Sequence, residues 1–134
     1  MNTQRTNFAT GTPWEPVVGY SRAVRVGPWV FVSGTTATGA DGTLVGIGDP
    51  GAQMRQALTN LRAALERAGA RLEDVVRTRM YVRHVEHWEA IGREHGAVFG
   101  SIRPASTLVE VSGLVDPAML VEIEADAFVA DAPA

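Results

Sequence analysis

The chain has 134 residues, 46% hydrophobic and 20% charged, which suits one domain able to bury roughly two thirds of its unfolded surface. Its net charge is -3, every one of its 12 basic residues is an arginine, and it has no cysteine; disulfides and thiolate chemistry are excluded, and no basic excess awaits a nucleic-acid backbone. No apolar run approaches the roughly 20 residues of a membrane span, and Met1 to Thr12 lacks the basic start and apolar core of a secretory signal, so a cytoplasmic protein with neither membrane nor nucleic-acid partner is expected.

Residues 1–19 are rich in Thr, Gly and Pro and read as an N-terminal arm or loop, although Trp14-Glu15-Pro16 is apolar enough to call for a cover over Trp14. Ser21 to Val26, the Gly27-Pro28 turn and Trp29 to Gly34 then form a hairpin pattern. Residues 35–48 carry no period and make a loop long enough to lie over a site. Asp49 supplies an N-cap, Pro50 a first helical residue, and Met54, Leu58, Leu61, Leu65 and Ala68 recur at helical spacing until Gly69 stops the helix. The other face, with Arg55, Arg62 and Glu66, is polar.

Val75 to Arg83 alternates as a strand, with Val76, Thr78, Met80 and Val82 on one face and Arg77, Arg79, Tyr81 and Arg83 on the other. Glu86 to Gly100 places Trp88, Ile91, His95, Val98 and Phe99 on one helical stripe. A histidine on an apolar stripe with no carboxylate partner reads as a satisfied core residue. His84 and His87 have no third ligand at a recognised spacing, so neither a metal nor a cofactor is expected.

From Pro104 to Val129 two strand patterns follow as one hairpin. In the second, Val121, Ile123, Ala125, Ala127 and Val129 share a face, while Glu122, Glu124 and Asp126 share the other at about 6.6 Å spacing. Three carboxylates in a row repel, so they need water or arginines nearby; the basic strand from Val75 would provide them if it lay alongside. The whole is an α+β domain covering 1–134, a single mixed sheet with two helices on one face. Its second face, lined by arginines, acids and Tyr81, is too charged for a monomer core and suits a surface shared between subunits.

Pro104-Ala105, Val109-Glu110-Val111 and Glu122-Ile123-Glu124-Ala125 resemble the signature of the Rid/YjgF family, the reactive intermediate deaminases, and Tyr20 before a hairpin ending in Ser33-Gly34 resembles the same family's N-terminal half. The resemblance runs from about Tyr20 to the end. It implies a chorismate-mutase-like fold, a homotrimer with sites between subunits, and hydrolysis of an enamine or imine of a small metabolite. It casts Glu122 as the group that orients or activates water, with Tyr20, Ser33, Gly34, Ser106 and the backbone of Leu108 binding the substrate. The deaminases carry at position 106 an arginine that clamps the substrate carboxylate bidentately; this chain has Ser106. A hydroxyl offers one neutral donor, which leaves Arg103 or Arg79 as stand-ins and points to a divergent hydrolase that does not favour typical 2-imino acids, or to a non-catalytic ligand-binding or regulatory trimer. Some relatives are described as L-PSP endoribonucleases, a reading the acidic balance disfavours.

Overall fold

The computed structural model describes residues 4–130; positions 1–3 of the expected N-terminal arm lie outside it. Along the chain run β1 (Arg5–Phe8), α1 (Trp14–Val18), β2 (Ala23–Val26), β3 (Trp29–Thr35), α2 (Pro50–Arg67), β4 (Val75–Val82), α3 (Trp88–Phe99), β5 (Ala105–Glu110) and β6 (Val121–Phe128), with 3-10 turns before β4 and α3. The strands form one six-stranded sheet in the order β1-β2-β3-β6-β4-β5. Only β4 and β5 are parallel, and every other pair is antiparallel. This is the mixed sheet with helices on one face that the alternation implied.

The long helix α2 starts where the sequence says it should. Asp49 accepts from the Ala52 amide at 3.0 Å, Pro50 follows at the first helical position, and Gly69 leaves the end at φ 83°, a left-handed value that only glycine adopts without strain. Its stripe of Met54, Leu58, Leu61 and Leu65 is buried against Val30, Val32, Ile123, Ala125 and Ala127 of the sheet. Helix α3 adds Ile91 and Phe99. Each fully buried Leu, Ile or Phe contributes about 1.5–3 kcal/mol over its exposed state, so this face carries most of the fold's driving force.

Several expectations are corrected. The expected arm is structured from residue 5: β1 pairs with β2 from Arg5↔Val26 to Phe8↔Ala23, and the one-turn α1 buries the Glu15 carboxylate while Trp14 stays 60% exposed among the described residues. Glu15 accepts from the Thr10 amide and from the Thr10 and Thr12 hydroxyls, and those bonds fix the Thr-rich stretch. β5 and β6 form no hairpin, because β4 runs between them; α3 supplies the crossover that a parallel β4/β5 pair requires. In β4 the pairing shifts between Val75↔Ala127 and Arg77↔Asp126, so Val75 turns into the core and Val76 outward at 44% exposure. Trp88, assigned to the packed stripe of α3, is its first residue, directly after the 3-10 turn, and is 59% exposed. Among the described residues no helix is long and apolar enough to cross a membrane.

Candidate functional site

Strand alternation divides every strand of this sheet between a helix-covered face and an open face. β4 does lie beside β6, so the basic and acidic rows meet on the open face as Arg79↔Glu124, Tyr81↔Glu122 and Arg77↔Asp126. Arg79 reaches the Asp126 carboxylate at 3.4 Å, and the Tyr81 hydroxyl donates to Glu124. That hydrogen bond, followed by burial, holds the Tyr81 pKa above its usual value.

Glu122 sits at the centre of this face, half-buried, opposite Tyr81 on one side and β3 on the other. Between Val32↔Ala125 and Thr35↔Ile123, β3 advances one residue further than β6. The resulting bulge, of the sort that re-aims groups beside active sites, is Ser33-Gly34. Gly34 leaves the space that the Glu122 carboxylate occupies: a methyl group there would overlap the carboxylate, which would have to move. The bulge is tied to the two residues that lead into β2. The Ser33 hydroxyl donates to the Ser21 carbonyl at 2.6 Å, and Arg22 Nη2 donates to the Gly34 carbonyl at 2.5 Å. Burial raises the Glu122 pKa, the Arg22 charge opposes that rise, and Glu124 adds to it. The site thus offers a carboxylate that holds its proton more readily than usual, set against a guanidinium.

Ser33, Gly34 and Glu122 are therefore brought together. Tyr20 is one residue before Ser21 and lines an open groove of about 650 Å³ together with Asn7, Thr12 and Glu15. Ser106 and Leu108 lie elsewhere. Ser106 is in register with Thr78, whose buried hydroxyl donates to Ser106 Oγ at 2.8 Å and lies 2.9 Å from His95 Nε2; Leu108 packs against the core. Both side chains thus belong to the helix-covered face, with β4 between them and β6. His95 is the satisfied core histidine expected, its ring 4.7 Å from that of Phe99 and its pKa lowered by burial.

Neither proposed stand-in for the missing arginine is free beside Glu122. Arg79 is engaged by Asp126, and Arg103 donates to the Gly100 carbonyl at the end of α3. The cation that does adjoin Glu122 is Arg22, which the sequence reading passed over; its signal was an arginine between Tyr20 and the core residue Ala23. At the far end of the open face, Trp29, Phe31 and Phe128 cluster with ring centroids 6.2 and 5.0 Å apart, and Trp29 and Phe31 with Val76, Arg77 and Asp126 border an apolar groove of about 430 Å³. Among the described residues no group of three His, Asp or Glu side chains is placed to hold a metal ion.

Residues 10–129 match the family model described as Endoribonuclease L-PSP. The chain is 40% identical over 119 residues to an uncharacterised protein of Streptomyces coelicolor, covering 89% of this chain and 88% of that one. It is 34% identical to the 3-aminoacrylate deaminase RutC of Acinetobacter baylyi, over 89% and 93% of the two chains. In structure it resembles Rv2704 of Mycobacterium tuberculosis, described as a member of the YjgF/YER057c/UK114 family, with a TM-score of 0.85, 49% identity and coverage of 94% and 100%.

Proposed function

The chain belongs to the endoribonuclease L-PSP family, the YjgF group, and on that premise we propose that it is a divergent enamine/imine deaminase-like hydrolase acting in the cytoplasm, with Glu122 as its water-activating group. The observation that carries this reading is the half-buried Glu122 carboxylate resting on the Ser33-Gly34 bulge beside Arg22. Water adds to the C=N carbon as Glu122 takes one of its protons and passes it to the nitrogen, giving a carbinolamine. The hydroxyl proton then travels by the same carboxylate to the nitrogen, the C–N bond breaks with its electron pair, and ammonia leaves a carbonyl behind. A carboxyl group whose pKa is raised towards the working pH suits both transfers. The relative named 3-aminoacrylate deaminase supports the substrate class, an enamine of a small acid, while the net charge of -3 speaks against RNA.

Glu122 and Ser106 face opposite sides of the sheet with β4 between their strands, so one small ligand touches both only if two subunits contribute. The exposed cluster of Trp29, Phe31, Phe128 and Val76 provides apolar surface for such contact, and a homotrimer with its pocket between subunits is the assembly proposed. Light scattering of the purified chain at micromolar concentration is expected to give three times the monomer mass, and a stable monomer would refute it.

A second reading, a non-catalytic or regulatory trimer that binds a small molecule in the same pocket, is favoured by one fact: position 106 carries a neutral hydroxyl already bonded to Thr78. A lost bidentate clamp removes charge-assisted bonds of about 1.5–3 kcal/mol each, on the order of a hundredfold or more in rate for a carboxylate-bearing imine. The test measures ammonia release from freshly generated 2-iminopropionate and 3-aminoacrylate. The natural chain is expected to be slow on the former, Ser106→Arg faster, and Glu122→Gln slower than either by roughly 10²–10⁴-fold. Saturable binding without ammonia release from either compound would select the second reading.

A further inference from the structure

Arg22 stands in the middle of the open-face site, and the reaction written above does not use it. Arg22 immediately precedes β2 and its buried first residue Ala23, and its carbonyl accepts from the Ser33 amide at 3.1 Å. Of the five N–H donors of its guanidinium, one on Nη2 is committed to the Gly34 carbonyl at 2.5 Å, and Nε is buried with no hydrogen-bond partner. A buried cationic donor without an acceptor is costly, so its retention calls for a compensating role. Gly34 is also the residue on which the Glu122 carboxylate rests, leaving no room for a Cβ between them. The arginine therefore grips the bulge from one side while the glutamate sits on it from the other.

We propose that Arg22 is the positioning residue of the Glu122 site: it pins the Gly34 carbonyl so that the bulge holds the Glu122 carboxylate in one place, and it keeps that carboxylate available as a base in half-buried surroundings. This rests on the hydrolase reading for its catalytic consequence, but not for its geometry. The charged and titratable groups facing Glu122 are few. Arg22 approaches from the residue before β2, and Ser33 and Gly34 of β3 bring no charge. β4 presents Tyr81 opposite, with Arg79 paired to Asp126 and Arg83 donating to the Val111 carbonyl on either side of it. β6 itself presents Glu124, which takes the Tyr81 proton donor. Of the three arginines only Arg22 makes neither an ion pair nor a bond leading away from the bulge among the described residues. Its charge is what offsets burial and Glu124 at the Glu122 carboxylate.

The experiment is a ¹³C carboxyl titration of Glu122 in the ligand-free natural chain, Arg22→Gln and Arg22→Lys, its resonance assigned by its loss in Glu122→Gln, with the pH profile of kcat measured alongside. In Arg22→Gln the Glu122 midpoint is expected to rise by about half a unit or more, and the acid limb of the kcat profile to rise with it while KM stays nearly constant. Arg22→Lys is expected to keep the midpoint near its natural value, yet to shift the Gly34 and Thr35 amide resonances, because an ammonium cannot reproduce the guanidinium's bond to the bulge. An unmoved midpoint in folded Arg22→Gln, an equal rise in Arg22→Lys, or unshifted bulge amides in Arg22→Lys would each overturn the proposal. So would a raised KM with unchanged kcat, which would make Arg22 a substrate ligand. Should Arg22→Gln fail to fold, the two outcomes for Arg22→Lys still decide. Because the titration needs no substrate, a moved midpoint in a chain that releases no ammonia would refute the hydrolase reading and leave the positioning role standing.

Discussion

The two faces of this sheet are built from the same strands and share no physics. On the covered face Val30, Val32, Val82, Ile123 and Ala125 meet Leu58, Leu61, Leu65 and Phe99 in an apolar layer, and the polar groups admitted there are bonded, Gln53 to the backbone at Ala118 and Leu120 and Thr78 to His95 and Ser106. On the open face aromatic rings and alternating charges are half in water, and one carboxylate, Glu122, rests on a glycine. The first face is stabilised by filled volume, which depends on nothing outside the chain. The second holds groups whose charge states depend on what surrounds them, and that dependence is what a reacting site needs.

The largest effect should come from the covered face. Leu61 is fully buried, and Leu61→Ala is expected to lower unfolding free energy by about 2–5 kcal/mol in urea titrations; a loss below about 1 kcal/mol would place the fold's stability elsewhere. Gly34→Ala probes the open face, where the added methyl must displace the Glu122 carboxylate. Because a side-chain end can move aside, a stability cost below about 1 kcal/mol is expected, together with loss of ammonia release, and a variant with natural activity would sever Gly34 from the site. The smallest and sharpest test is pH. Burial lowers the His95 pKa from 6.5, so the unfolded chain binds more protons just below that value, and this contribution to stability is lost as pH falls through the window beneath 6.5. Burial raises the Glu122 pKa from 4.5, so there the folded chain binds more protons, and stability falls as pH climbs above 4.5. Urea midpoints against pH should therefore slope in opposite senses for the two faces, with His95→Gln flattening one slope and Glu122→Gln the other.

Much of the covered face was legible because burial imposes a period. Asp49, Pro50, the leucine stripe and Gly69 define α2 without any tertiary information. Local deviations escaped it: one bulge reverses Val75 and Val76, and Trp88, at the very start of α3, stays in solvent. Strand order was less accessible, since nothing in Pro104 to Val129 says that β4 will insert between two consecutive strands; that follows from the α3 crossover, a long-range choice. β1 was missed because a four-residue strand in a Thr-rich stretch has too few alternations to register, and its partner β2 supplies the definition. Of the site, Ser33, Gly34 and Glu122 were placed from their motif and do meet. Arg22 was not, because an isolated arginine before a strand has no signature until the bulge opposite is known. Ser106 shows the limit of a motif, which fixes position along a strand and says nothing of which side that position faces; here it faces Thr78.

β5 touches the sheet only through its parallel ladder with β4, from Arg77↔Ala105 to Val82↔Glu110. Where the strand enters that alignment stands a two-residue joint. Arg103, at φ 56°, is the non-glycine residue with a left-handed backbone among those described, its amide bonded to the Phe99 carbonyl and its side chain folded back to Gly100, and Pro104 follows with its own fixed φ. Because strand side chains alternate, sliding β5 by one residue would exchange Ser106 and Leu108 for Thr107 and Val109 on every surface they meet. The joint therefore works as an index stop: a change to its geometry alone, with every residue of β5 kept, would turn the strand's other edge of chemistry outward, and a lineage could acquire a different pocket lining by altering position 103 or 104 without touching the residues that line it.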